Sequence, residues 1–274
     1  MSISELTRSA QAYWDAAATT YDQDFTETLV GGIQRVAVWR ELDRVFRAGQ
    51  RILELNCGTG IDAVHLAKRG IQVVACDISP EMIKRARQRA SDAAVSDRLD
   101  FRVLATEELD SLETEAPFDG VFSNFSGLNC VANLPAVAEA LERLLKPGAS
   151  ALLCMLGRFV AWEFLWFVAH GDLRNAVRRL RANRYYHDEV HQVWHLSVSQ
   201  LTHVFAPQLR LRKWKGIGIA VPPSYMEHWA QRFPTLTRNL AQVDRALGSA
   251  PLFRNMADFV LLEFEESTTN LCRR

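Results

Sequence analysis

Glu54-Leu55-Asn56-Cys57-Gly58-Thr59-Gly60 is the stretch on which the reading of this chain turns. It follows a strand-like run at 51–55 and precedes a helical pattern at 61–69 that Gly70 stops. Glycines suit that junction because the backbone must turn sharply and lie against a ligand, where a Cβ would clash. The helix behind the loop offers unpaired N–H groups and the positive end of its dipole, which favour a carboxylate or phosphate. Seventeen residues beyond Gly60 a second strand, 71–77, ends in Asp77, whose carboxylate can accept from both hydroxyls of a ribose. Strand, glycine turn, helix, strand and acid together predict a site for a nucleoside-bearing cofactor.

Outward from the loop, residues 50–157 alternate short apolar runs with helical patterns, the mark of βαβ units and a parallel sheet. The helix at 79–90 starts with Ser79 as N-cap, Pro80 at its first position and Glu81 in the first turn. Further strands are predicted at 99–104, 118–124 and 150–156, with a helix at 134–145 between the last two. Beyond Gly157 come two helix-like stretches, 159–169 and 172–184, and then strand-like runs at 209–220 and 257–265. The expected organisation is one domain: N-terminal lid helices at 1–48, a cofactor-binding core at 49–157, a helical cap insertion at 158–195, and completion of the sheet at 196–274.

The composition is that of an ordinary globular protein: 274 residues, 48% hydrophobic and 23% charged, with 32 basic and 32 acidic residues. Collagen-like, disordered and disulfide-scaffold classes are excluded. A net charge of zero lacks the basic footprint of nucleic-acid binding, so no nucleic-acid partner is expected. Cys57, Cys76, Cys130, Cys154 and Cys272 are odd in number and contain no C-x-x-C, which reads as reduced structural thiols. The N-terminal residues show no apolar leader, and the apolar run 159–169 is interrupted by Glu163 and is about half a membrane span. A cytoplasmic protein with no transmembrane segment is expected.

Gly58-Thr59-Gly60-Ile61-Asp62-Ala63 also satisfies the G-x-G-x-x-A form of the dinucleotide fingerprint, so the loop alone does not choose the cofactor. Three neighbours tilt the choice: the acid Glu54 ending the first strand, the fourth strand Phe118-Asp119-Gly120-Val121-Phe122-Ser123-Asn124, and Lys146-Pro147-Gly148 before the fifth. With these, residues 10–156 resemble the class I S-adenosylmethionine-dependent methyltransferases, in particular the small-molecule branch that includes the quinone-biosynthesis type. The resemblance implies an α/β fold with a doubly wound, mostly parallel, Rossmann-like sheet of seven strands. It also implies S-adenosyl-L-methionine as cofactor and S-adenosyl-L-homocysteine as product. Glu54 would place the loop and the methionine ammonium, the backbone at Cys57, Gly58 and Gly60 would line the methionine, and Asp77 would hold the ribose. Ile78 and Met82 would pack on the adenine, and the stretch from Tyr13-Trp14-Asp15 to Tyr21-Asp22 looks like the family's lid, closing tyrosines over the cofactor.

Two positions depart from that pattern. Asn56 stands where the first loop glycine is usual, and asparagine tolerates left-handed backbone better than other side chains. Ala105 stands where an acid commonly meets the adenine, leaving that contact to backbone groups, Thr106 or Glu107. After the fourth strand, members that methylate nucleic-acid bases or protein amides carry Asn-Pro-Pro-Tyr; here Ser123-Asn124-Phe125-Ser126 predicts a small-molecule O-, N- or C-acceptor, with Asn124 counted among the cofactor-site residues. The rival readings are an NAD-dependent oxidoreductase, against which no Tyr-x-x-x-Lys dyad is found, and a non-catalytic nucleoside-binding protein of the same fold.

Methyl transfer needs in-line positioning more than acid or base chemistry, so no catalytic residue need be visible. His187, His191 and His195 recur every four residues, which on a helix would stack them on one face, whereas strand geometry would spread them over about 27 Å. No metal is expected, and His191 and His195 are the candidate bases. The cap carries Phe159, Trp162, Phe164, Trp166 and Phe167, followed by Arg174, Arg178, Arg179, Arg181 and Arg184. One reading is a core helix with a solvated basic face. The other is a pocket for a large apolar or aromatic acceptor, the arginines meeting an acidic group on it, an anionic membrane surface or a second subunit.

Overall fold

A computed structural model describes residues 3–181, 184–186 and 192–267. The chain opens with α1 (Ile3–Ala17), a π-helical turn (Asp22–Thr26) and α2 (Leu29–Val45). The core follows as β1 (Arg51–Leu55), α3 (Ile61–Lys68), β2 (Gln72–Asp77), α4 (Pro80–Asp92), β3 (Leu99–Val103), β4 (Phe118–Ser123), α5 (Leu134–Leu144) and β5 (Leu145–Leu156). The insertion holds α6 (Ala161–Ala169), α7 (Leu173–Ala176), α8 (Arg178–Arg181), β6 (Arg184–Tyr186) and β7 (Gln192–Trp194). The chain closes with α9 (Val198–Phe205), β8 (Leu209–Ile217), α10 (Glu227–Arg232), α11 (Pro234–Leu247) and β9 (Phe259–Glu266).

The large sheet has seven strands in the order β3-β2-β1-β4-β5-β9-β8. Its first five strands pair in parallel, and β9 runs antiparallel to both β5 and β8. Strands covered on both faces read as continuous apolar runs, and β1, four of whose five residues are buried, is one of them. Period-2 alternation sends Leu53 and Leu55 into a core with α5 and α9, and Ile52 into a second core with α2 and α3. Glu54 therefore points to the α2 side of the sheet. Order reverses between β1 and β4, and in open α/β sheets the crevice outside the strand ends at such a reversal is where ligands bind.

Helix starts follow their signals. Ser79 caps α4 by accepting from the Met82 N–H at 3.1 Å, with Pro80 inside the first turn. In the insertion the first expected helical stretch, 159–169, forms α6, whereas the second, 172–184, is corrected to two short helices. Helical residues are split among α6, α7 and α8, with Gly171 at φ +75° between the first two. Residues 184–186 pair antiparallel with 192–194, Tyr185 opposite Val193, so the helical cap is part sheet. His187 and His191 lie outside the described residues.

Candidate active site

Three residues of the glycine loop take left-handed backbone: Asn56 at φ +55°, Gly58 at +53° and Gly60 at +75°. Glycine is required at Gly60, where an added Cβ would stand 2.7 Å from Ala86 Cβ. Asn56 fills its unusual place productively. Its Nδ2 donates to Thr106 Oγ1 at 3.0 Å and its Oδ1 accepts from Ser123 Oγ at 3.3 Å, tying the loop to the ends of β3 and β4. Opposite it stands Gly127, where an added Cβ would come within 2.3 Å of Asn56 Cβ.

The loop borders a cavity of about 730 Å³ at the strand-order reversal. Of the residues singled out from the sequence, Tyr21, Asn56, Gly58, Asp77, Ile78, Met82, Thr106, Glu107 and Asn124 line it. Tyr13 does not; its neighbour Trp14 does, because α1 turns that side chain inward with Leu6, Thr7 and Ala10. Cys57 and Gly60 shape the loop from behind, and Glu54 is buried beneath it. The far wall is formed by Phe125, Gly127, Cys130, Val131 and Ala132.

Asp77 accepts from the Gly58 N–H at 2.8 Å and the Ser79 N–H at 2.9 Å. Burial nevertheless pushes its carboxyl up to about 6. Glu54 is 1% exposed, its carboxyl raised well above the usual range by burial and by the charge on Asp62, and its Oε2 has no hydrogen-bond partner. On the same side Arg35 is 4% exposed and its Nε has no partner, while another of its nitrogens pairs with Asp62 at 2.5 Å. A buried carboxyl and a buried guanidinium thus retain one unsatisfied polar atom each, an arrangement that fits a ligand carrying both an ammonium, which would draw Glu54 into its ionised form, and a carboxylate.

Asp62 also accepts from Trp39 Nε1 at 2.6 Å and Asn124 Nδ2 at 2.9 Å. Asn124 Oδ1 in turn accepts from the Phe125 N–H at 2.9 Å, so both ends of that amide are committed within the protein. Phe125 and Ser126 then take φ of +42° and +67°, strained for side chains of their kind. Phe125 is held there edge-on to Phe25 and Phe259, at 4.9 and 5.1 Å between centroids, with the Arg35 guanidinium 4.8 Å over its ring. The strain sits at the carboxyl end of β4.

The N-terminal segment is latched across the loop by two acids. Asp15 accepts from Ser79 Oγ at 2.5 Å; Asp22 accepts from Thr59 Oγ1 at 2.7 Å and from Arg89 at 2.6 Å. Tyr21 lies beside Gly58, and burial pushes its hydroxyl up to about 12. Trp14 meets Tyr21 at 6.2 Å, edge to face. Sequence reading missed Arg35, Asp62 and Phe125. A signal for the first existed: Gln34 and Arg35 fall inside the buried α2 stripe of Val30, Gly31, Val38 and Leu42, where a charge needs a reason.

The acceptor-side expectations fare differently. His195 is 5% exposed, and burial followed by the charges of Arg179 and Arg178 lowers its imidazole to about 3. A group so far below neutral is a poor general base. None of Phe159, Trp162, Phe164, Trp166 and Phe167 lines the cavity. Trp162 instead donates to the Ala220 carbonyl at 2.6 Å and packs on Trp229. The basic face is not solvated throughout: Arg178 and Arg179 pair with the buried Glu163, and Arg179 also reaches Asp258 at 3.2 Å. Cys130 on the cavity wall is pushed up to about 12 by burial, so it stays a thiol. Among the described residues no group of acids, histidines and cysteines has the geometry of a metal site, and no helix is long and apolar enough to cross a membrane.

Residues 52–148 match the family model described as a methyltransferase domain. Over 139 residues the chain is 32% identical to the tRNA 5-carboxymethoxyuridine methyltransferase of Escherichia coli (strain K12), covering 49% of this chain and 52% of that protein. Over 118 residues it is 35% identical to the ubiquinone biosynthesis O-methyltransferase of Xylella fastidiosa (strain 9a5c), covering 43% and 46% respectively. The matches span about half the length of these curated relatives. Among solved structures, an S-adenosylmethionine-dependent methyltransferase from Mesorhizobium loti superposes with a TM-score of 0.53 at 17% identity, covering 80% of this chain and 92% of that one. That likeness is one of fold. The exclusion of nucleic acid drawn from net charge is corrected by the tRNA-modifying relative: zero total charge does not separate the two acceptor classes within this fold.

Proposed function

We propose that this chain, a class I methyltransferase by the domain at residues 52–148 and by the fold around it, uses S-adenosylmethionine to methylate a small apolar or aromatic acceptor. The observation that carries the cofactor assignment is the pair of buried, half-satisfied ionisable groups, Glu54 and Arg35, behind a glycine loop whose Gly58 N–H meets Asp77. Glu54 would take the methionine ammonium and Arg35 its carboxylate, a match of charge that a nicotinamide dinucleotide lacks. Asp77 would accept from the ribose hydroxyls, Ile78 and Met82 would sandwich the adenine, and Thr106 and Glu107 offer polar groups at its edge.

When bound, the cofactor supplies a methyl group on a positively charged sulfur, open to in-line attack. The chain's part is to orient and to exclude water. Trp14, Tyr21 and Phe125 close apolar surface around the reaction space, and the strained Phe125-Ser126 backbone fixes the wall that the acceptor must meet. Two observations support an apolar acceptor over a base amine. The wall beyond Phe125 is Cys130, Val131 and Ala132, and the Asn124 amide is already tied at both ends to Asp62 and the Phe125 N–H rather than turned wholly to the cavity. The ubiquinone O-methyltransferase relative points the same way.

The test is calorimetric titration of the chain with S-adenosylhomocysteine and, separately, NAD, followed by transfer of labelled methyl from S-adenosylmethionine into a phenolic lipid extract and into bulk tRNA. Homocysteine-nucleoside binding with label in the organic extract is expected. NAD binding alone would refute the cofactor, and label confined to tRNA would refute the acceptor class while leaving the cofactor standing.

A further inference from the structure

We propose that the groove between α2 and α11 is a second ligand site, for a single-chain amphiphile with an anionic head at one end and a hydroxyl at the other. The groove encloses about 1950 Å³ including its mouth, and none of its lining residues is shared with the cavity at the glycine loop. Residues repeating at three and four on each helix form the walls, and the end of β8 forms the floor, so that Leu29, Ile33, Val36, Ala37, Ile217 and Ala241 present apolar surface. A Cβ added at Gly32 would meet nothing within 4 Å, which leaves the α2 wall open there.

The rim is basic and unneutralised. Arg40 on α2 and Arg238 and Arg245 on α11 make no ion pair or hydrogen bond within the described residues, although ion pairing is frequent elsewhere on this surface. The cation and acids that share the groove are spent on each other or on backbone. Lys215 binds Glu41 at 2.9 Å, Glu41 is also held by Arg44 at 2.8 Å, and Asp244 accepts from the Ile219 N–H at 3.0 Å. Three free guanidinium groups over an apolar floor call for an anion with an apolar body. The chain's own terminal residues 268–274 carry Arg273 and Arg274 and so have the wrong charge.

A second observation marks the other end of the ligand. Gln34 lines the groove yet is 1% exposed; its Nε2 donates to Asp258 at 3.3 Å, and its Oε1 has no hydrogen-bond partner. A buried carbonyl oxygen without a donor is a place for a ligand hydroxyl. Six residues of α2 separate Gln34 from Arg40, roughly 9 Å along the axis at the helical rise. Medium-chain ω-hydroxy acids have the reach to satisfy both.

The full chain would be titrated with 10-hydroxydecanoate, decanoate and decyltrimethylammonium. Saturable one-to-one binding is expected for the hydroxy acid, weaker binding for decanoate, and none for the cation. Arg238→Ala with Arg245→Ala, both exposed on α11, should weaken both acids about tenfold with unchanged circular dichroism. Gln34→Leu should abolish the preference for the hydroxylated probe. Equal binding of cation and anion, undiminished affinity in the double variant, or no saturable binding of either acid at millimolar concentration overturns the proposal; a retained hydroxyl preference in Gln34→Leu overturns the role of Gln34.

Discussion

Gly127→Ala tests whether Asn56 and Gly127 form one compensated unit. The new Cβ would stand 2.3 Å from Asn56 Cβ, 2.6 Å from its Cγ and 2.8 Å from its Oδ1. Asn56 cannot swing clear, since its Cβ is fixed by the backbone at φ +55° and its amide is bonded to Thr106 and Ser123. Overpacking of this kind costs about 1–3 kcal/mol. In a chain of this size, a loss near 2 kcal/mol lowers the melting temperature by roughly 4–8 °C. Asn56→Gly removes two side-chain hydrogen bonds of about 1 kcal/mol each but relieves the left-handed strain, so its own net cost should be about 1 kcal/mol. In the double variant the clash is gone, and the substitutions should couple by about 1–3 kcal/mol in the rescuing direction. Urea unfolding of the four proteins measures this, with S-adenosylhomocysteine affinity as a second readout because Thr106 lines the cavity. Losses that simply add, within about 0.5 kcal/mol, would show that the two residues are independent and that the account of the altered loop is wrong.

Nucleoside binding should strengthen as pH rises through about 6, because in the proposed complex the ribose hydroxyls would donate to ionised Asp77, and the free protein holds that carboxyl at about 6. Affinity for S-adenosylhomocysteine at pH 5 is expected to be about tenfold below that at pH 8, with Asp77→Asn weaker throughout and flatter across the same window; a pH-independent wild type contradicts this. By the same raised value, Asp77 contributes stability below its unfolded pKa that is lost as pH rises through 6, and Asp77→Asn should be relatively more stable at pH 8 than at pH 5, measured by urea unfolding. His195, lowered to about 3, has the opposite sign: its contribution is present above the unfolded value near 6.5 and is lost as pH falls toward 3. His195→Asn should therefore flatten the acid limb of the stability curve and leave the pH profile of turnover between 6 and 8 unchanged in shape, whereas a lost ionisation in that profile would restore the residue as a base.

The parts legible in the sequence were those written in local chemistry. Strand, glycine turn and Asp77 lie close together along the chain, and each residue type answers a constraint of backbone or charge that is readable without partners. The lid was half legible: the Tyr13 to Asp22 stretch could be recognised, but which ring of Tyr13 and Trp14 turns inward depends on how α1 docks on α4. Asp62 was illegible as a hub because its partners Arg35, Trp39 and Asn124 come from α2 and from the end of β4. The cap misled for a related reason. A run of arginines after an aromatic helix looks like a surface when Glu163 and Asp258, which neutralise part of it, are invisible to periodicity.

The two acid latches across the glycine loop bear on how the protein would be emptied between turnovers. Asp15 and Asp22 fasten the N-terminal segment to the first turn of α4, to Thr59 and to Arg89, so the residues that wall the cavity on that side cannot withdraw until those bonds part. With the cofactor proposed above, exchange of spent nucleoside for fresh would be coupled to an electrostatic clasp rather than to the sheet, which need not move. Ionic strength would then act as a mild throttle on residence time: added salt would loosen the part-buried Arg89–Asp22 arm and speed release, while β1 and β4 stay as they were.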